Sequence, residues 1–360
     1  MSTPSQRIDC LRYALRQEPV DAFLVSDPAN VTYLTGFRGD DSYLLLDQDH
    51  LFLVTDSRYT EQAAAEAPQC EIVKRDGSII KETAKAFGRL GAKSLGIEAA
   101  SMSVSSFRDL AEALEGVEPL PKKGLVEKLR EVKDEGEIER IRKAAALADA
   151  TLTALRGQIV PGMTEREVAN RIDFSLREAG ARRPSFEPIV AARQRSSLPH
   201  AQATDARLAP GDAVLIDWGA ERDLYSSDCT RMFFLAAPDA RWREVYATVR
   251  RAQELAIEAI RAGAGLREVD AVARQHISQA GYGSNFGHGL GHGVGLRVHE
   301  SPSMNERAEG TLAAGMVVTV EPGIYLPGWG GVRIEDLVVV RQEGAEVLTS
   351  LPKELDAVIL

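Results

Sequence analysis

Residues 317–323 read Val317-Val318-Thr319-Val320-Glu321-Pro322-Gly323, an apolar strand that delivers a carboxylate at its end and is then stopped by Pro-Gly. Valine and threonine suit the pleated, half-buried surface of a sheet. An ionised carboxylate among apolar neighbours is costly unless something positive meets it. The same conjunction occurs twice more. Ala213-Val214-Leu215-Ile216-Asp217 ends in an aspartate, and Val332-Arg333-Ile334-Glu335-Asp336-Leu337 carries a glutamate in mid-strand, with the run continuing to Val340. Asp228 follows Asp217 by eleven residues, and Gly219 to Asp223 between them suits a hairpin turn, so antiparallel strands would draw the two carboxylates together. His292 lies in the run His288-Gly289-Leu290-Gly291-His292-Gly293-Val294-Gly295, whose glycines allow close backbone approach. Asp217, Asp228, His292, Glu321 and Glu335 therefore form a candidate ligand set. Four ionised carboxylates carry about −4, which two divalent cations would cancel. Hard, oxygen-rich donors suit Mn(II), Co(II), Zn(II) or Fe(II) and argue against metals selected by thiolates.

Each residue alone has an ordinary explanation: a strand-end aspartate commonly forms a turn, and a lone histidine is usually a hydrogen-bonded structural residue. A phosphate loop is disfavoured, because no Lys-Ser or Lys-Thr follows the glycine run. The combination differs in kind. Four of the six histidines, His200, His288, His292 and His299, lie in or near these stretches.

The remainder of the chain bounds the setting. With 360 residues, 44% hydrophobic and 27% charged, it is an ordinary globular composition, long enough for two domains. A net charge of −10 without a basic tract argues against nucleic acid as a partner. Cys10, Cys70 and Cys229 lack metal-type spacing and suggest reduced thiols. Met1 to Gln17 contains no apolar run of signal-peptide length, and no stretch approaches the roughly 20 apolar residues of a membrane span, so the expected location is the cytoplasm.

The first 120 residues alternate helix and strand signals. Helices are expected at Gln6–Arg16, Ser57–Ala67 and Ser103–Glu115, strands at Ala22–Ser26 and Ser94–Glu98, and a hairpin at Tyr43–Leu46 and Leu51–Thr55, with Asp27-Pro28-Ala29-Asn30 reading as a turn. This is a small α/β domain, placed at residues 1–125, and a charged segment separates it from a second domain at 126–360. Asp134 with Glu137, and Thr164 with Glu167, are capping-box pairs opening helices that run to about Arg156 and Gly180. Gly162, Arg166, Glu167, Val168, Ala179 and Gly180 recur 101 positions later as Gly263, Arg267, Glu268, Val269, Ala280 and Gly281. Either helix entries merely look alike, or a helix-pair unit is duplicated about an internal pseudo-twofold with a central cleft.

Together these segments resemble the Xaa-Pro peptidase branch, prolidase and aminopeptidase P, of the metallopeptidases related to methionine aminopeptidase. The resemblance rests on Leu198-Pro199-His200-Ala201, Ile216-Asp217-Trp218-Gly219, Ser227-Asp228-Cys229-Thr230-Arg231, the run from Gly287 through His292 and His299 to Glu300, Glu321-Pro322-Gly323-Ile324-Tyr325 and Gly331-Val332-Arg333-Ile334-Glu335-Asp336. Asp27 to Phe37 resembles the family's creatinase-type N-terminal domain. What this implies is an α/β (α+β) protein with a pita-bread catalytic domain of pseudo-twofold symmetry behind that N-terminal domain. It implies two divalent metal ions, Mn2+ foremost with Co2+ or Zn2+ as alternatives: Asp217 on one, His292 and Glu321 on the other, Asp228 and Glu335 bridging. Substrates would be proline-containing di- or oligopeptides, cut between the N-terminal residue and proline, and the protein a homodimer. Glu321 would also move the proton, His200 and His299 would donate to the carbonyl oxygen or oxyanion, and His288 would line the proline pocket. Arg333 would support a carboxylate of the site or form a structural salt bridge. Arg307 would hold a substrate carboxylate, unless it is a solvated surface residue. The alternative in another class is a catalytically silent peptide- or protein-binding module on the same fold.

Overall fold

The strand Ala22–Val25 lies wholly buried inside a six-stranded sheet, whose order is Glu71–Arg75, Leu51–Asp56, Ser42–Leu46, Ala22–Val25, Leu95–Glu98, Leu120–Lys122. It pairs antiparallel with Ser42–Leu46 and parallel with Leu95–Glu98, which makes the sheet mixed. The computed structural model describes residues 2–360, and the chain divides into a unit ending at Arg130 and a unit spanning Glu131–Leu360. Among the described residues no helix is long and apolar enough to cross a membrane.

In the first unit, Asp27-Pro28-Ala29-Asn30 is not a turn but the start of a helix, Pro28–Thr35. Asp27 is its N-cap, accepting from Ala29 N at 2.8 Å, and Pro28 supplies a preset φ at the first helical position. Turns and helix entries use the same residue types, which is why the sequence left the two confusable. The helix expected from Ser57 begins only at Thr60 and ends at Glu66.

The second unit opens with the two capping boxes, Asp134 with Glu137 and Thr164 with Glu167, on helices Glu135–Leu155 and Glu165–Glu178. A second helix pair follows, Ala240–Ala259 and Leu266–Gln279. The pairs are equivalent down to single hydrogen bonds. Gly162 N donates to Leu208 O and Gly263 N to Leu312 O, both at 2.8 Å, and Thr164 bridges Arg207 as Gly265 bridges Thr311. Strand order also repeats: Ile189–Ala192, Ala213–Trp218 and Cys229–Phe234 are adjacent in one sheet, and Gly291–Gly293, Val317–Val320 and Asp336–Arg341 in the other. The internal repeat is thus a duplicated structural unit rather than a chance likeness of helix entries. Apolar residues of all four helices, among them Leu152, Ile172, Val249 and Ile277, share one core with Ile216 and Phe234 of one sheet and Val318 and Val338 of the other. Burying each such side chain contributes roughly 1.5–3 kcal/mol, so both sheets are anchored rigidly beneath whatever their ends carry.

Candidate metal centre

Each half of the duplicated unit presents two carboxylates. Thr230 is the ladder partner of Asp217. Asp228, two residues before Thr230, shares their side of the sheet. The turn between them lies later than the sequence suggested: Ala220–Arg222 is itself a strand paired with Tyr225–Ser226, and the reversal falls at Asp223 and Leu224, with φ +50° and +71°.

In the other half, Val320 pairs with Asp336 in one ladder and Gly323 with Arg333 in the next. The register is common to both ladders, and it leaves two pairs in the gap, Pro322 with Ile334 and Glu321 with Glu335. Glu335 is therefore not in mid-strand as expected. It sits where the chain changes partners, between Gly330–Arg333 and Asp336–Arg341, and its N–H turns to Thr230 O of the first half at 3.1 Å. Glu321 N is held by Leu290 O at 2.8 Å. Gly291 lies so close to this strand that a Cβ there would sit 2.0 Å from Thr319 O, which explains one glycine of the run.

Carboxylate oxygens of Asp217, Asp228 and Glu335 come within 4.8 Å of one another. His292 Nε2 is 3.3 Å from Glu321 Oε1 and 3.7 Å from Asp228 Oδ2. His292 Nδ1 lies 3.1 Å from Gly293 O. A carbonyl only accepts, so Nδ1 carries the proton and Nε2 offers a lone pair to the cluster. Burial and the neighbouring negative charges hold the Asp228 and Glu335 carboxyls well above the usual range, and burial pushes Glu321 up to about 7. Burial lowers His292, keeping it neutral. Asp217 Oδ1 is buried and accepts no hydrogen bond. Acceptors crowded against acceptors, a buried oxygen without a donor and an imidazole lone pair aimed inward fit a divalent cation, the one partner that satisfies them all.

The five residues line a cavity of about 470 Å³ together with His200, His288, His299 and Arg333. Arg333, 3% exposed, donates from Nη2 to Asp217 Oδ2 at 2.6 Å, from Nε to Thr230 Oγ1 at 3.0 Å, and from Nη1 to Tyr325 OH and Pro199 O. Tyr325 OH accepts that bond and lies 2.9 Å from His288 Nε2. His288 Nδ1 is committed to Gly289 O at 2.8 Å, so Tyr325 donates onward to a neutral imidazole, which burial lowers to about 4. The His299 ring stands edge-on to His292 with centroids 4.3 Å apart. Arg307 is not brought here: it is exposed and does not line the cavity.

Three contributors went unrecognised in the sequence. Thr230 Oγ1 donates to Glu335 Oε2 at 2.6 Å, Thr319 Oγ1 to Glu321 Oε1 at 3.1 Å, and Tyr325 joins Arg333 to His288. The threonines leave a signal, Asp228-x-Thr230 and Thr319-x-Glu321, since residues two apart on a strand share a face. Tyr325 leaves none beyond its place in the strand.

The family described as metallopeptidase family M24 matches residues 139–342, and the creatinase/prolidase N-terminal domain matches residues 7–132. A Xaa-Pro dipeptidase of Pyrococcus furiosus is 37% identical over 355 residues, covering 97% of this chain and 99% of the relative. A solved structure of Xaa-Pro dipeptidase from Bacillus anthracis superposes with a TM-score of 0.97 at 41% identity, covering 99% of this chain and 100% of that one. X-Pro aminopeptidase from Thermotoga maritima superposes with a TM-score of 0.88 at 38% identity, covering 95% and 99%. The expected architecture holds: a creatinase-type N-terminal domain followed by a pita-bread catalytic domain.

Proposed function

The chain belongs to metallopeptidase family M24, and from that premise we propose that it hydrolyses the peptide bond between an N-terminal residue and a following proline, using two divalent ions held by Asp217, Asp228, His292, Glu321 and Glu335. The observation that carries the reading is the meeting of four carboxylates, two from each half of a duplicated unit, with one inward-facing imidazole lone pair in a single cavity. Mn2+ is the ion expected from the family resemblance, with Co2+ or Zn2+ as alternatives, and hard oxygen donors with one nitrogen suit all three.

Bound divalent ions supply Lewis acidity and lower the pKa of the hydrolytic water. The chain's own residues do the rest. Glu321 takes a proton as water adds to the carbonyl carbon and returns it to the departing proline nitrogen as the C–N bond breaks. His200 and His299 donate to the carbonyl oxygen as it gains negative charge. His288, neutral and fixed by Tyr325, bounds the space for the proline ring. Arg333 holds Asp217 in place through Oδ2 and leaves Oδ1 free to coordinate. The reading carries with it a homodimer acting in the cytoplasm, and a monomer in gel filtration at micromolar concentration counts against the first of these.

The test is a cleavage panel of Xaa-Pro, Xaa-Pro-Yaa and Xaa-Ala peptides on chelator-treated protein, with each metal restored in turn. Cleavage only ahead of proline, and only with metal, is the expected result. Turnover by the stripped protein, or indifference to proline, overturns the proposal, and the ratio of dipeptide to tripeptide rates separates dipeptidase from aminopeptidase P.

A further inference from the structure

Glu165, the first residue of its helix, is 0% exposed and far from the carboxylate cluster in sequence, yet it collects more donors than any ligand candidate. Oε1 accepts from Ala192 N at 2.9 Å, and Oε2 accepts from Thr204 N at 3.0 Å and Thr204 Oγ1 at 2.7 Å. Arg195 Nε adds a charged bond to Oε2 at 3.0 Å. Ala192 ends the strand Ile189–Ala192, and between it and Thr204 run the short 3-10 helix Arg193–Ser197 and a loop that puts His200 on the cavity wall. One buried carboxylate thus closes the base of the loop that delivers His200. The loop needs such an anchor. Arg193 opens it at φ +52°, a left-handed conformation that a β-carbon disfavours.

The duplication supplies an internal control. The position equivalent to Glu165 in the second helix pair is Leu266: Glu165 N donates to Ala206 O and Leu266 N to Gly310 O, both at 3.1 Å. Leu266 is 6% exposed and makes the same helix entry with no charge. The architecture therefore stands without a carboxylate here. What differs is how the segment with the active-site histidine is held: the one that carries His299 pairs back onto its sheet as Glu300–Met304, whereas the one that carries His200 forms no such strand and is tied at both ends to a buried charge.

We propose that Glu165 is a positioning residue that sets the place of His200 in the cavity by clamping Ala192 to Thr204. The inference rests on the peptidase reading for the role of His200, but not for the clamp itself. Glu165→Leu installs the residue of the other half, and Glu165→Gln keeps the volume should the leucine variant fail to fold. Hydrogen exchange is read first, on metal-free protein without substrate. Residues 193–204 are expected to exchange at least about tenfold faster in either variant while the helix Glu165–Glu178 keeps its protection. Unchanged exchange over 193–204 overturns the clamp whatever the substrate proves to be. On Xaa-Pro peptides the metal-loaded variants are expected to lose about 10- to 100-fold in kcat with KM changed less than threefold. In a His200→Ala background the same change should cost less than twofold. An equal loss in both backgrounds overturns positioning through His200. If wild type leaves Xaa-Pro bonds intact, it is the peptidase reading that fails, and the exchange result still decides the clamp.

Discussion

The Arg333 guanidinium donates to Asp217 Oδ2 at 2.6 Å, while Asp217 Oδ1, which is buried, accepts nothing. One oxygen is thereby fixed and the other kept available. The same guanidinium reaches Thr230, Tyr325 and Pro199, so its planar fork spans both halves of the duplicated unit. Lysine offers three donors from a single point and cannot span them. Arg333→Lys is expected to lower metal affinity and kcat/KM by about 10- to 100-fold. Arg333→Met leaves a buried carboxylate without its cation and is expected to cost about 3–5 kcal/mol. Titration calorimetry with Mn2+ and urea denaturation measure the two effects, and wild-type metal affinity in the lysine variant would refute the role given to the fork.

Metal removal exposes a conflict between stability and function. Without cations, Asp228 faces Glu335, Asp217 and Glu321, with Arg333 as an offsetting positive charge. Asp228→Asn keeps the shape and removes one member of the repelling set. In metal-free protein at pH 8 it is expected to stabilise by about 1–2 kcal/mol, as trimming a strained functional site commonly does. In the presence of Mn2+ the order reverses, because wild type gains binding energy that the variant lacks. Thermal denaturation of both proteins, with and without metal, checks the crossing, and parallel shifts in the two conditions count against a shared metal.

Much of this site was legible in the chain because apolar strands ending in carboxylates are rarely tolerated without compensation. The duplication was legible as well, through Gly162 and Gly263, whose φ values of +97° and +85° only glycine adopts without strain. Two kinds of feature were not. Strand pairing that changes partner, as at Glu335, follows from tertiary contacts that no local pattern encodes. Long-range polar links are also silent: nothing near Glu165 in sequence announces Ala192 and Thr204, and nothing near Tyr325 announces His288. Helix starts at Pro28 and Thr60 were blurred because caps and turns draw on the same side chains.

Arg307 tests how far residue type alone can be trusted. A guanidinium is the natural holder of a substrate carboxylate, but this one is exposed and away from the cavity wall. Arg307→Ala is expected to change kcat/KM on Xaa-Pro dipeptides by less than twofold. A rise in KM of tenfold or more, confined to substrates ending at proline, would return Arg307 to the binding site.

His288 gives the protein a pH dependence of stability whose sign is fixed. Its imidazole, chiefly through burial, is lowered to about 4 from an ordinary value of 6.5. The unfolded chain therefore binds this proton at a higher pH than the folded one does, and stability rises with pH between those values. The contribution is fully present above about pH 6.5 and is lost as the pH falls towards 4, at most about 3 kcal/mol for a shift of that size. Neighbouring carboxylates titrate over the same range, so wild type alone cannot isolate it. His288→Gln can still accept from Tyr325 OH and carries no titrating ring. Urea denaturation of metal-free wild type and variant at half-unit steps from pH 4 to 7.5 removes the shared carboxylate part by difference. The gap between them should shift in the variant's favour as the pH drops below 6.5. A gap that stays constant would mean that His288 takes its proton as readily folded as unfolded, contrary to an imidazole whose Nδ1 is spent on Gly289 O and whose Nε2 is spent on Tyr325.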